Sequence, residues 1–254
     1  MTDDSLQGRV ALVTGASSGI GAATATVLAD RGARVALLAR RQDRLDELVG
    51  EITLAGGTAL GVPVDVTDAD ALTAAADRAA ATLGPADLVV NNAGVMLPAP
   101  VEQLRTDQWQ RQIDLNVSAA MHTIGAVVPQ LVSAAAEGRR ADLVNTSSIA
   151  AENIFPNFAV YAATKAFITH LSRHLRVELG AKDVRVTAIE PGIVGTELQD
   201  HVTDPGAREW LDDTRDTVEW LTPQDVAEVI AFTAALPRHV NLQQVTIMPT
   251  RQAT

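Results

Sequence analysis

The 254-residue chain contains no cysteine, which excludes disulfides, a thiolate zinc site and a cysteine nucleophile. Aromatic residues are almost as scarce, at 3% of the chain, with four Phe, three Trp and a single Tyr. Its 47% hydrophobic content is therefore mostly Ala, Val, Leu and Ile, a mixture suited to parallel strands buried beneath helices on both faces. Basic charge is in deficit: 20 Lys and Arg stand against 31 Asp and Glu, for a formal net charge of −11. Neutralising the phosphates of a nucleic acid needs the opposite balance, so no nucleic-acid partner is expected, and the acidity serves solubility instead. No continuous apolar run approaches the ~20 residues that cross a bilayer, so no membrane partner is expected either. Met1-Thr2-Asp3-Asp4 lacks the basic and apolar regions of a signal peptide. A soluble cytoplasmic protein is the expectation.

Short β-rich apolar runs at 9–14, 34–38, 59–62, 88–90, 142–146, 185–189 and 244–248 alternate with helical patterns near 19–31, 42–55, 68–83, 107–137, 159–179 and 223–236. This alternation predicts an α/β, doubly wound parallel sheet of seven strands flanked by helices, in a single domain over residues 1–254. Thr222-Pro223-Gln224-Asp225 offers an N-cap hydroxyl, a proline at the first helical position and an acid at the third. Thr67-Asp68-Ala69-Asp70 has a similar capping pattern, and Gly32 suits a helix C-cap. Residues 196–220 break the alternation, and an irregular insertion of that length suggests a substrate loop or lid.

Val10-Ala11-Leu12-Val13 leads into Thr14-Gly15-Ala16-Ser17-Ser18-Gly19-Ile20-Gly21 and then a helical pattern. Strand, glycine-rich turn and helix N-terminus together make an anion site, because glycines admit a pyrophosphate to the backbone and the helix dipole favours negative charge. The spacing differs from the general dinucleotide fingerprint, and a plain strand–helix turn is the competing reading. Tyr161-Ala162-Ala163-Thr164-Lys165 holds the chain's only tyrosine. A helical spacing of four puts phenol and ammonium on one face. A phenol near its ordinary pKa of ~10 is a poor proton carrier at neutral pH, and a neighbouring cation is expected to lower it. A surface pair is the competing reading.

Thr14–Gly21, Asn91-Asn92-Ala93-Gly94 and Tyr161-x-x-x-Lys165, in that order, resemble the signature motifs of the short-chain dehydrogenase/reductases. The resemblance covers nearly the whole chain and implies a Rossmann fold. It also implies that a serine thirteen positions before the tyrosine, Ser148, polarises the substrate oxygen, with Ser147 left as a turn hydroxyl. Tyr161 would be the general acid/base. Lys165 would also hold the nicotinamide ribose, and Asn116 in a helix interior would hold a water that links Lys165 to solvent. The same resemblance assigns cofactor contacts to Gly15, Ser17, Ser18, Gly19, Ile20 and Gly21 in the glycine turn. It adds Asp65 and Val66 near the adenine, and Asn92, Ala93 and Gly94 near the adenosine half. Pro191, Gly192, Val194 (through its backbone) and Thr196 would meet the nicotinamide carboxamide. For Asp65 a helix-capping role competes.

In a dinucleotide fold the end of the second strand lies beside the adenosine ribose, where an acid would accept the 2′-hydroxyl and repel a 2′-phosphate. Here Ala39-Arg40-Arg41 follows instead. Arg40, with Arg41 and Ser17, can bind a phosphate, so NADP is expected over NAD. That the arginines merely solvate the next helix is the competing reading. The implied activity is hydride transfer between nicotinamide C4 and a carbonyl or secondary alcohol carbon of a small molecule. The rival readings are a non-catalytic dinucleotide-binding regulator, an NAD-preferring alcohol dehydrogenase, and an isomerase or dehydratase relative. Ala39-Arg40-Arg41, Ile189-Glu190-Pro191-Gly192 and Pro249-Thr250 look most like clavulanic acid dehydrogenase and broad-range alcohol dehydrogenase members. The long 107–137 and 159–179 helices correspond to the family's assembly helices and imply a homotetramer. His170 and His174 have helical i, i+4 spacing but lack a metalloprotease motif, and no metal is expected. Asp212-Asp213 reads as a solvated face. Met96, Trp210 and Trp220 are candidates for either core or substrate wall.

Overall fold

A computed structural model describes residues 5–253; the signal-peptide reading of residues 1–4 lies outside the described residues. Seven strands form one parallel sheet: β1 (Val10–Thr14), β2 (Arg34–Ala39), β3 (Thr58–Pro63), β4 (Leu88–Asn91), β5 (Asp142–Thr146), β6 (Arg185–Pro191) and β7 (Gln244–Ile247). Their spatial order is β3-β2-β1-β4-β5-β6-β7. All seven predicted strands are present, within one or two residues of the expected ends. β1, β5 and β6 are buried along their whole length, as central parallel strands covered on both faces must be.

Side chains alternate between two apolar layers with the period of two that a pleated strand imposes. Ala11, Val13, Val35 and Leu37 face α1 (Gly19–Asp30), α2 (Gln42–Leu54) and α8 (Pro223–Ala235). Val10, Leu12, Ala36 and Leu38 face α3 (Ala69–Leu83) and α5 (Ala119–Ala136). The strand order reverses between β1 and β4, so a crevice opens there at the carboxyl edge. The amino edge is closed by a buried ionic cluster. Arg9 meets Asp87 at 2.7 Å and Asp142 at 2.8 Å, and Arg185 meets Asp142 at 2.7 Å. Arg185 also donates to the carbonyls of Ala234 and Leu236 at the end of α8. The cluster locks four strands together on the side away from the crevice.

Four local expectations need correction. The helix expected over 107–137 is α4 (Thr106–Ile113), a single π-helical turn (Asp114–Ser118) and α5 in succession. Its apolar length, by composition enough to cross a membrane, runs against the expectation that no such segment exists. Within the fold that apolarity serves the core, where Val127, Leu131 and Ala134 are fully covered. Asp68 rather than Thr67 caps α3, accepting from Ala71 N at 2.9 Å. Segment 196–220 is not irregular: it holds a 3-10 turn (Gln199–His201) and α7 (Pro205–Thr217), capped by Asp204 with proline in the first turn. Elsewhere Thr222 and Asp225 complete the expected capping box on α8, and Gly32 follows α1 at φ +89.

Candidate active site

The turn from β1 into α1 needs its three glycines for two separate reasons. Gly15 (φ +67) and Gly19 (φ +54) sit in the left-handed region, where a Cβ is strained. At Gly21 the reason is space: a Cβ there would lie 2.3 Å from the Gly15 carbonyl oxygen. Thr14 pins the opposite lip, its hydroxyl accepting from Asn92 N at 2.9 Å and Ala93 N at 3.1 Å. Ser18 is the N-cap residue of α1, yet its side chain does not cap the helix. The result is a backbone cradle at a helix N-terminus, which suits a phosphate.

At the adenosine end, Arg41 reaches back over the turn. Its Nη2 donates to Ser18 Oγ at 2.8 Å and Ser17 Oγ at 3.0 Å, and its Nη1 to Glu197 Oε2 at 2.9 Å. Both arginines line the cleft. Asp65 accepts from Thr67 N at 3.0 Å and Thr67 Oγ1 at 2.8 Å, bonds that hold its carboxyl below the usual carboxylate range. It orders the turn after β3 and does not cap α3, so the capping alternative fails in its simple form.

The groups expected to handle protons converge on the carboxyl ends of β4 and β5. Tyr161 and Lys165 lie one turn apart on α6 (Ala159–Gly180), both buried. The Ser148 side chain lies beside the Tyr161 phenol and pulls its pKa down. Lys165 Nζ donates to the Thr146 carbonyl at 2.9 Å and stands 5.7 Å from the Tyr161 ring centroid. Asn116 sits in the π turn, buried. Its Oδ1 accepts from Val95 N at 2.8 Å and its Nδ2 donates to Val95 O at 2.9 Å and Thr164 Oγ1 at 3.1 Å. It thereby ties the chain after β4 to the turn of α6 that separates Tyr161 from Lys165. The π turn breaks helical register at Asn116, and turns of this kind are frequent at functional sites. Ser147 bonds the Lys165 carbonyl at 2.9 Å and Thr169 Oγ1 at 2.8 Å, the structural role expected of it.

The expectation that Lys165 lowers the Tyr161 phenol is overturned. Burial pushes the phenol up to about 12, against the downward pull of Ser148. Burial also brings the Lys165 ammonium down to about 8. Desolvation is the leading cause of both shifts, and the Lys165 ammonium is spent on the Thr146 carbonyl. At neutral pH the pair therefore stands as a protonated phenol beside an ammonium close to its titration range.

A family model described as short chain dehydrogenase matches residues 9–206. The chain belongs to the short-chain dehydrogenases. A glycine betaine reductase of Emericella nidulans is 37% identical over 244 residues, 96% of this chain, although the chain spans only 19% of that longer protein. Among solved structures, the closed form of a serine dehydrogenase complexed with NADP+ is 32% identical and superposes with a TM-score of 0.88, covering 96% of each chain. A 3-ketoacyl-(acyl-carrier-protein) reductase from Brucella melitensis complexed with NADH is 29% identical with a TM-score of 0.86, covering 97% of this chain and 99% of that one.

In this short-chain dehydrogenase, one cleft of about 400 Å3 brings together almost every residue named from the sequence. Ser148, Tyr161 and Lys165 line it, as do Gly15, Ser17, Ser18, Gly19, Ile20, Val66, Asn92, Ala93, Gly94, Pro191 and Gly192. Gly21 and Asn116 are not in the lining and act from behind it. Val194 and Thr196 line it too, but both are engaged by Gln199, which donates to Val194 O at 2.8 Å and accepts from Thr196 N at 3.2 Å. The expected carboxamide contact through the Val194 backbone therefore does not extend to its carbonyl, which Gln199 holds.

Met96 and Trp210, left open above between core and substrate wall, line the cleft together with Phe155 and Phe158 of the 153–158 segment, also expected from the sequence to bear on substrate choice. Phe155, Phe158 and Trp210 pack edge-on, with centroids 5.6–6.0 Å apart, and Phe158 continues to Tyr161 at 6.3 Å. Met96, Ile193 and Leu211 join them. Trp210 arrives on α7, whose Asp204-Pro205 start resembles Thr222-Pro223 and was the available signal. Trp220 packs against this cluster with the Arg215 guanidinium 4.5 Å over its ring, outside the cleft lining. Sequence reading missed Glu197 and Gln252. Gln252 Oε1 accepts from Ile193 N at 2.9 Å, and a Cβ on Gly192 would come within 2.5 Å of it. His170 and His174 share an exposed contact of 3.2 Å between their Nε2 atoms.

Proposed function

We propose that the dehydrogenase is an NADP-preferring enzyme acting on a carbonyl or secondary alcohol that carries uncharged, apolar substituents. The observation that carries this reading is the convergence of Ser148, Tyr161 and Lys165 in one cleft, at an apolar wall and beside the glycine cradle. The cradle fits a dinucleotide: side chains at Gly15, Gly19 and Gly21 would fill or strain the space a pyrophosphate takes. When bound, the nicotinamide supplies or accepts the hydride.

The residues supply the rest. Ser148 and Tyr161 present two hydroxyls to one substrate oxygen, orienting it and stabilising charge as it develops there. Tyr161, held protonated, gives its proton to that oxygen in reduction and takes it back in oxidation. Lys165 faces the same turn with a titratable ammonium, and Asn116 fixes both by bracing α6 against the segment after β4. At the adenosine end Arg40, Arg41 and Ser17 favour a 2′-phosphate, and no acid follows β2 to repel one. The Arg and Lys side chains lining the cleft are Arg40, Arg41 and Lys165, and His201 also lines it; the wall of Phe155, Phe158, Trp210 and Leu211 beside Tyr161 is apolar, which favours apolar substituents.

Absorbance of reduced nicotinamide, followed with neutral ketones and alcohols and with their carboxylated counterparts, tests the reading. Turnover is expected with NADPH in preference to NADH, and Tyr161→Phe is expected to lower kcat by about 10²–10⁴ with NADPH affinity held. Near-normal kcat in Tyr161→Phe, or binding without turnover across the panel, would return the chain to the binding-protein reading. We place the enzyme in the cytoplasm as a homotetramer, in which exposed Met121 on α5 and Phe167 and Val177 on α6 would be covered; light scattering showing only monomer contradicts the assembly.

A further inference from the structure

Glu197 holds a position that no cofactor or substrate assignment explains. It follows Thr196 at the start of the segment leading to α7, and its carboxylate reaches across the mouth of the cleft. One contact is the Arg41 guanidinium, Nη1 to Oε2 at 2.9 Å. Beside it lies the Ser18 side chain, which takes the Arg41 Nη2 at 2.8 Å and helps to hold the Glu197 carboxyl below its usual range. Those two partners are the charged donor at the end of β2 and the hydroxyl at the N-terminus of α1. A dinucleotide carrying a 2′-phosphate and a pyrophosphate calls on the same two places. Arg41 is otherwise committed to Ser17, through Oγ at 3.0 Å and the backbone carbonyl at 3.3 Å.

We propose that Glu197 is an internal anion competing with the cofactor's phosphates for Arg41 and Ser18, and so sets both the affinity for NADP and its margin over NAD. The inference rests on the NADP reading above. Two anions drawn to one guanidinium repel each other, so each weakens the other's hold, and the coupling is reciprocal. A bound 2′-phosphate frees Glu197, and with it the first residues of the segment that carries Trp210 into the substrate wall. The competition is modest in size because both side chains of the pair are 43% exposed, and surface ion pairs are worth little.

Fluorescence titration of NADPH and of NADH into the parent and Glu197→Gln, at low ionic strength where screening is weakest, reads the effect without turnover. Glu197→Gln keeps the shape and removes the charge. It is expected to tighten NADPH by about 2- to 5-fold and NADH by less, since NADH lacks the 2′-phosphate. Glu197→Ala is expected to shift NADPH in the same direction, and unchanged melting curves confirm that both variants are folded. An unchanged or weaker NADPH affinity in folded Glu197→Gln overturns the proposal, as does an equal gain for the two cofactors. The parent alone, compared between NADPH and NADH, reports on the cofactor preference, so failure of that reading shows separately from failure of the competition.

Discussion

Replacing Lys165 by Met sets the chemistry of the site against its stability. Burial takes the Lys165 ammonium from 10.5 down to about 8, so at neutral pH the fold still holds it charged and bears the desolvation penalty. At about 1.36 kcal/mol per pH unit, that fall corresponds to about 3 kcal/mol which a neutral side chain of similar length escapes. Against this, Met cannot donate to the Thr146 carbonyl as Nζ does at 2.9 Å, and leaving that acceptor unmatched costs about 1–2 kcal/mol. Lys165→Met is therefore expected to exceed the parent in stability at neutral pH by about 1–2 kcal/mol, a rise in Tm of about 2–8 °C, while losing carbonyl turnover.

The pH dependence has a definite sign. Between about 8 and 10.5 the unfolded chain keeps a proton on Lys165 that the folded chain has released, so the parent gains stability as pH rises through that window. Lys165→Met has no such gain. Its advantage shrinks on going from neutral to alkaline solution and reverses once only the lost hydrogen bond remains. The Tyr161 phenol titrates higher in the fold, towards about 12, and affects parent and variant alike. Circular dichroism melts at about pH 7, 8.5 and 10 measure the difference. A variant less stable than the parent at neutral pH, or a gap that does not move with pH, would refute the argument that desolvation dominates here.

Two further outcomes follow from the same geometry. Gly21→Ala drives a methyl into the Gly15 carbonyl, 2.3 Å from the new Cβ; it is expected to cost about 1–3 kcal/mol of stability, seen in thermal melts, and to abolish detectable NADPH binding in a titration. A folded variant that binds NADPH normally would show that the turn does not need its close approach. The pH profile of kcat/KM for carbonyl reduction is expected to be flat at neutral pH and to fall above about 8, as Lys165 loses its charge while Tyr161 keeps its proton; a profile rising through that range would exclude the ammonium from the step.

Much of this molecule was legible in one dimension because its signals are local. Valine-rich runs bounded by turn residues can only be buried parallel strands, and Gly15, Gly19 and Gly21 sit where backbone geometry tolerates nothing else. Tyr161 and Lys165 share a helix face by spacing alone. The ends of the argument were harder to see where a short-range pattern served two purposes. The apolar stretch of α5 satisfies the composition of a membrane span and also that of a core helix, and only its packing against the sheet separates them. Asp68 displaced Thr67 as a cap because the Thr67 hydroxyl was already committed to Asp65. The Asp204-Pro205 start of α7 was as readable as Thr222-Pro223, but the 13 residues of the helix are mostly polar and bury only Ala207 and Leu211, so its apolar face is thin.

What the chain alone determined is therefore the sheet, the glycine cradle and the shared helix face of Tyr161 and Lys165, since each depends on steric limits or spacings within a few positions. What the tertiary structure decided is how those residues behave. The phenol rises and does not fall because burial is a property of everything packed around it, a sum no motif contains. Glu197 reaches Arg41 across 156 positions of sequence, and Phe155, Phe158 and Trp210 become one wall only when α7 folds over the cleft. Electrostatics and pocket shape are set by distances in space, and those exist only after the chain has closed on itself.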